Sequence, residues 1–148
     1  MVKVKQLYQK NWRDPQEVEQ IVKNHLHGHS LNMPCGMSRL GTVRADLDTK
    51  VNPDIEVDMF NSPFERSCFD SIYCDPPWDI NIMKRRRLAI NLTNLLKPVT
   101  GTLIFNCNWV LMNKVLRMKE VYFITSDNFG SISAITIYDK PNKEIIEG

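Results

Sequence analysis

The sequence predicts an α/β domain built on a mostly parallel sheet that ends in an antiparallel hairpin. Three observations predict it. Short β-rich apolar runs alternate with stretches of helical periodicity. Several of those runs end in an acid or at a Pro/Gly corner, where a strand must leave its sheet. The last two runs, residues 121–125 and 132–138, are joined through Ser126-Asp127-Asn128-Phe129-Gly130, short enough for a hairpin.

Residues 1–13 are mixed and predict no element, with Tyr8 and Trp12 as candidate packing or ligand contacts. Asp14-Pro15-Gln16-Glu17 is a helix start: Asp14 caps, Pro15 suits the first helical position, and Glu17 completes a capping box. Val18, Ile21, Val22 and Leu26 fall on one face, and Gly28 ends the helix. Residues 30–36 are a short strand closing in a Pro/Gly corner. Residues 42–48 and 55–60 are two more strands, and 69–73 a fourth after a Pro-containing turn. Residues 83–97 predict a helix with Leu88, Leu92, Leu95 and Leu96 inward, stopped by Pro98 and Gly101. A fifth strand covers 102–107, and a further helix is predicted over 110–119 from Leu111, Val115 and Met118. Parallel neighbours ordinarily need a crossover of a dozen or more residues, and the first two links have only about seven. The helices between the first strands must therefore be reduced. Part of that sheet face would be covered by helix 15–27, and the rest would favour a partner or a homodimer.

One domain of 148 residues fits this plan, with an N-terminal helical segment over 1–28 and the sheet core over 29–140. Hydrophobic content of 43% and charged content of 24% are ordinary for a soluble domain. A net charge of +2 does not by itself imply nucleic acid, which needs a local cluster of cations. Cys35, Cys68, Cys74 and Cys107 show no CxxC or CxxH spacing, so no metal site is expected. Three of them lie in apolar runs, as buried free thiols do, and a reducing, cytoplasmic setting follows. There is no signal peptide and no membrane-length apolar run. His25, His27 and His29 straddle the helix end at Gly28 and match no ligand spacing; they suit a helix C-terminus better.

The most informative stretch is Asp75-Pro76-Pro77-Trp78, directly after the fourth strand. The prolines cannot continue a central strand, so a stiff corner follows. Ligands of open α/β sheets bind outside the carboxyl ends of strands. An acid, rigid carbonyls and a flat aromatic ring there form a small polar clamp beside a stacking surface. Lys84-Arg85-Arg86-Arg87 comes next, with four cations in the first turn of a helix, the positive end of its dipole. A phosphate would relieve that arrangement; a solvated helix start is the alternative.

The pattern over residues 29–140 resembles the class I S-adenosylmethionine-dependent methyltransferases. The Asp-Pro-Pro-Trp corner is similar to the motif of amino-methyltransferases that modify exocyclic amines of bases. Here the corner follows the cofactor loop, the opposite order to that of the messenger-RNA adenine enzymes. The resemblance implies a compact Rossmann-like sheet, S-adenosyl-L-methionine as cofactor and a DNA or RNA base as acceptor. Residues 32–38 resemble the loop that holds the methionine end of the cofactor; Asn32 stands for its acid, Pro34 and Ser38 for glycines, and Gly36 is kept. Asp46, with Asp48 as alternative, resembles the ribose-binding acid, and Asp58 with Met59 the adenine-binding pair. By the same resemblance Asp75 and the Pro76 carbonyl hold the acceptor amine, Pro77 stiffens the corner and Trp78 stacks on the base. Lys84, Arg85, Arg86 and Arg87 would contact nucleic acid; either specificity is low, or a second subunit supplies sequence recognition.

Other readings remain open on sequence alone. The corner could be a strand-ending turn with Trp78 in the core. The same fold could methylate a protein amide or a small amine, or bind nucleic acid or a partner without catalysis. Asn106 and Trp109, after the fifth strand, read as packing residues before pocket residues.

Overall fold

In the computed structural model the described residues are 1–9, 15–126 and 129–141. Trp12, the predicted cap Asp14, and Asp127-Asn128 of the hairpin link lie outside them. The centre of the fold is the strand Ser71–Cys74, buried at every position. Its side chains alternate between two cores, as a strand covered on both faces requires. Tyr73 packs with Val22, Ile104, Ile124, Ile135 and Ile137. Ile72 and Cys74 pack on the other face with Leu31, Met33, Leu88, Leu92 and Leu103.

In chain order the elements are β1 (Lys3–Gln9), α1 (Pro15–His25), β2 (Ser30–Asn32), β3 (Val43–Asp46), β4 (Ile55–Glu56), β5 (Ser71–Cys74), α2 (Ile82–Leu95), β6 (Thr102–Cys107), β7 (Arg117–Ser126) and β8 (Phe129–Asp139). They form one sheet in the order β1-β7-β8-β6-β5-β2-β3-β4. Only β8 runs antiparallel to its neighbours, β6 and β7. The α/β class, the mostly parallel sheet and the terminal hairpin are as the sequence predicts. So are the reduced helices: one 3-10 turn, Thr49–Val51, is the only helical element described between β2 and β5.

Helix α1 covers one face through Val18, Ile21 and Val22, joined by Leu26 just past its end. Helix α2 covers the other through Leu88, Leu92 and Leu95. Asn81 caps α2 by accepting from the Lys84 N–H at 3.0 Å. At its C-terminal end the buried Lys140 ammonium donates to the Thr93 and Leu96 carbonyls, both at 2.9 Å. These are carbonyls that the end of a helix leaves without helical partners.

Three expectations change. Residues 3–9 form a strand, paired in parallel with β7 along its whole length, so the segment 1–28 is not helical throughout. The strand predicted over 55–60 shrinks to Ile55–Glu56. Asp58 turns the chain there: its carboxylate accepts the Phe60 N–H at 2.9 Å and its carbonyl the Asn61 N–H at 3.0 Å. The helix predicted over 110–119 is absent, and β7 begins at Arg117. Asn113 is the physical reason. Its side-chain oxygen accepts the N–H groups of Val115 and Leu116 at 2.9 and 2.8 Å, in place of helical carbonyls. Its amide donates to Thr93 Oγ1 at 2.7 Å, and the Tyr138 hydroxyl donates to the Leu111 carbonyl. The apolar spacing of Leu111, Val115 and Met118 thus belongs to a packed loop and the start of a strand.

Asp70, just before β5, ties the other ends of the strands together. Its carboxylate accepts the His29 N–H at 2.7 Å and the Lys97 ammonium at 3.0 Å. Gly28 packs against that carboxylate at φ 60°; a Cβ there would stand 2.4 Å from Oδ2. The His29 N–H first, then Lys97, hold the Asp70 carboxyl below its ordinary range. A depressed carboxyl stabilises the fold above the unfolded value of about 4, and the gain is lost as pH falls through the folded value. We expect Asp70→Asn to lower the thermal midpoint at pH 7, and the difference from wild type to shrink as pH falls through that range. Melts recorded from pH 7 to pH 2 read both.

Candidate active site

β2 and β5 are parallel neighbours, but the chain leaves them in opposite directions. From β2 it continues outward to β3 and β4; from β5 it continues to β6 on the other side. The loops after their carboxyl ends therefore diverge, and a crevice opens where α/β sheets hold ligands. A cavity of about 810 Å3 occupies that position. Pro34, Gly36, Asp46, Asp58, Met59, Asp75, Pro76, Pro77 and Trp78 all line it. The sequence-predicted cofactor loop, the strand-end acids and the corner thus share one cavity. Cys35, Met37 and Ser38 of the predicted loop line it too, as do Phe60 and Tyr73, which were not singled out as site residues by sequence.

Asn32 is the exception. It is fully buried behind the loop, donating from Nδ2 to Ser38 Oγ and the Leu40 carbonyl, both at 3.1 Å. It shapes residues 33–40 from beneath and is not among the cavity-lining residues.

Arg44 orders the loop after β2. Arg44 is 6% exposed, an unusual place for a guanidinium. It donates to the carbonyls of Ser38 (2.7 Å), Gly36 (3.0 Å), Asn52 (2.8 Å) and Val51 (3.3 Å). The first two belong to the loop after β2, the last two to the loop after β3. One buried cation thus clamps two loops on either side of its strand. Its only sequence signal is a charged residue between Val43 and Ala45 inside a strand. Asp46 completes the clamp: Oδ2 accepts the Gly36 N–H at 2.8 Å and Oδ1 the Asp48 N–H at 2.9 Å. A carboxylate offers about four acceptor sites, so Asp46 retains capacity toward a ligand. Asp48 is occupied elsewhere, capping the 3-10 turn at the Lys50 N–H.

On the far wall, α2 holds the Asp58-Met59 segment. Asn91 donates to the Met59 carbonyl at 2.8 Å and accepts from Ser62 Oγ at 3.1 Å. In the corner Pro76 is buried, Asp75 and Trp78 are half-buried and Pro77 is exposed. Trp78 packs against the core on one side while it lines the cavity. The Pro76 carbonyl accepts a long contact from the Cys107 thiol at 3.9 Å.

Burial pushes the thiols of Cys74 and Cys107 above their ordinary value, and Asp75's negative charge adds to it. Burial likewise raises Cys35. The nucleophilic form of cysteine is the thiolate, so these three are held as neutral thiols.

The four cations separate. Lys84, Arg86 and Arg87 line a groove of about 560 Å3 with Met83 and Ile90. Arg85 turns away: it donates to the Ile80 carbonyl at 2.8 Å and lies 4.7 Å over the Trp109 ring. It braces the segment that follows the corner. The three histidines do not converge. His25 contacts Glu120, His27 contacts Thr102, and His29 stacks on Phe69. Among the described residues no His/Cys/Asp/Glu group could hold a metal, and no helix is long and apolar enough to cross a membrane.

No family model and no curated protein matches the chain at the sequence level. Solved structures do match in shape. The PH0226 protein of Pyrococcus horikoshii OT3 superposes with a TM-score of 0.63 at 11% identity, over 84% of this chain and 88% of its own. A protein from work on the conversion of a disulfide bond into a thioacetal group during echinomycin biosynthesis gives 0.60 at 10% identity, over 86% and 82%. HI0767 of Haemophilus influenzae, provisionally designated a methylase, gives 0.56 at 16% identity, over 86% and 98%. The chain has their fold. The loop clamp is open to a direct test. Removing the guanidinium leaves buried carbonyls unpaired, so Arg44→Ala should cost roughly 3 kcal/mol in urea unfolding. Arg44→Lys should recover only part, because an ammonium cannot span the same fork.

Proposed function

We propose that this protein is an S-adenosylmethionine-dependent methyltransferase acting on an exocyclic amino nitrogen of a base in DNA or RNA. The observation that carries the reading is that the Asp75-Pro76-Pro77-Trp78 corner opens on the same 810 Å3 cavity as Asp46, Asp58 and the 34–38 loop. The donor set fits the cofactor: a carboxylate with spare acceptor capacity at Asp46 suits ribose hydroxyls. Asp58 beside Met59 and Phe60 suits an aminated, flat ring. What S-adenosylmethionine supplies when bound is an electrophilic methyl on a sulfonium that departs as a neutral thioether.

The chain's own task is then orientation. An exocyclic amine is a weak nucleophile because its lone pair is delocalised into the ring. Asp75 and the Pro76 carbonyl accept its two hydrogens and turn the lone pair out of the ring plane. A carbonyl has two acceptor sites, so the long Cys107 contact leaves one for the amine. Trp78 stacks on the ring, and the prolines fix the direction of the carbonyl. Nitrogen is the atom this corner suits.

The groove of Lys84, Arg86 and Arg87 favours a nucleic-acid acceptor over a small amine or protein amide, which the corner alone would also accept. A base in a duplex would have to be flipped out; a single-stranded one would not. A homodimer partner or a separate subunit would supply sequence recognition.

Calorimetry with S-adenosylmethionine should give saturable binding, and its absence from folded protein would sink the reading. Asp46→Ala should weaken that binding roughly 10- to 100-fold, the worth of hydrogen bonds to a charged group. Asp75→Ala should lower labelled-methyl transfer to single-stranded DNA or RNA by about 100-fold or more, with cofactor affinity within a few-fold of wild type. Replacing Arg86 and Arg87 by Ala should reduce the slope of log K against log salt by about one per cation.

A further inference from the structure

The two edges of the sheet differ. β4, at one edge, has two residues and is too short to template another strand. β1, at the other, has seven residues and no proline. It pairs with β7 along its whole length, and no described strand lies beyond it. The main-chain groups on its outer side therefore offer a ladder to a further strand.

The two faces of β1 are built differently. Lys3, Lys5 and Leu7 alternate onto the α1 face, where Leu7, like Val18 and Ile21, packs against the core. The lysines are answered within the chain. Lys3 is in register with Glu120, and Lys5 Nζ lies 3.9 Å from Glu120 Oε1 and 5.4 Å over the Tyr122 ring. Val4, Gln6 and Tyr8 fall on the opposite face, and Gln6 is in register with Phe123. Gln6 Nε2 donates to Thr125 Oγ1 at 3.2 Å. Val4 is 65% exposed, Tyr8 53% and Phe123 39%, so an apolar stripe runs along an open edge.

The strand is complementary to its own copy. A two-fold axis normal to the sheet runs two copies antiparallel and keeps each residue on its own face. With the axis at Gln6 the whole strand pairs: Lys3 with Gln9, Val4 with Tyr8, Lys5 with Leu7, and Gln6 with itself. No like charges stand opposite one another, and β-branched Val4 meets aromatic Tyr8 twice, a favourable cross-strand pair. Other axes are worse. At Val4, Lys3 would oppose Lys5; at Lys5, the two Lys5 ammoniums would oppose each other; at Leu7, only residues 5–9 of the strand would pair.

We propose that β1 is the dimer edge of this protein: a second copy adds its β1 antiparallel, centred on Gln6, and the two sheets continue into one. The reduced helices between the first strands suggest a partner at the β4 side of the sheet; the edge that fits one is the opposite edge. The pairing is independent of the methyltransferase reading and stands or falls without it.

Sedimentation velocity of the full chain over about 1–100 μM should show dimer forming within that range. Gln6→Lys sets an ammonium against its own copy at the axis and should weaken the dimer roughly ten-fold or more, and Gln6→Glu should do the same with a carboxylate. An equimolar mixture of the two variants should dimerise at least as well as wild type, because lysine then stands opposite glutamate. Mixing would not repair a folding defect, so this recovery separates lost pairing from lost structure. A wild-type chain that stays monomeric throughout, a Gln6→Lys dimer as tight as wild type, or a mixture no tighter than either variant alone would overturn the proposal.

Discussion

Strands β2 and β5 lie side by side and send the chain opposite ways, and every feature of the site follows from that. Because they are parallel, their carboxyl ends share one edge of the sheet. Because their exits diverge, no connecting segment fills the gap between them. β5 then ends in two prolines, which cannot donate to a neighbouring strand, so the chain leaves the sheet at Asp75. β3 and β4 add Asp46 and Asp58 along the same edge. A short, wholly buried strand with an abrupt end thus converts sheet topology into an open-mouthed cavity with acids on its wall.

The wall would be loose without Arg44. The first two links are too short for crossover helices, so the loops after β2 and β3 have little regular structure of their own. A helix would have satisfied its backbone groups internally. Here a buried guanidinium satisfies four carbonyls at once, and the Asp46 carboxylate accepts two N–H groups nearby. The cation is expensive to bury alone, and its bonds to carbonyls, together with nearby carboxylates, are what make the position tolerable. Pro34 and Ser38 thus sit in a loop that is held from beneath and from the side.

Much of this was legible in sequence because it is local. Strand ends, the corner and the α1 and α2 faces follow from residue chemistry within a few positions. What escaped depends on partners far along the chain. Residues 3–9 read as mixed because an edge strand declares itself only through its pairing, here with β7 more than a hundred residues later. Residues 110–119 carried helical spacing, but one Asn113 side chain redirected two backbone N–H groups and removed the helix. Arg44 was invisible as a clamp because its partners are main-chain carbonyls, which every sequence has. Arg85 looked like its neighbours in a basic run, yet about 100° of helix rotation per residue places it over Trp109 and away from the groove.

Asn106 illustrates the reverse case, where sequence favoured the bland reading and the structure changes the balance. At the end of a buried strand an asparagine ordinarily packs with both ends of its amide satisfied, because an unpaired one costs stability. Here one end is held by Tyr73 and the other is not. The same residue lines a cavity of about 340 Å3 between α1 and the end of β6, beside Glu19 and Asp75. Met37, Ser38, Tyr73 and Asp75 line both this cavity and the larger one, and the Tyr73 hydroxyl accepts from Asn106.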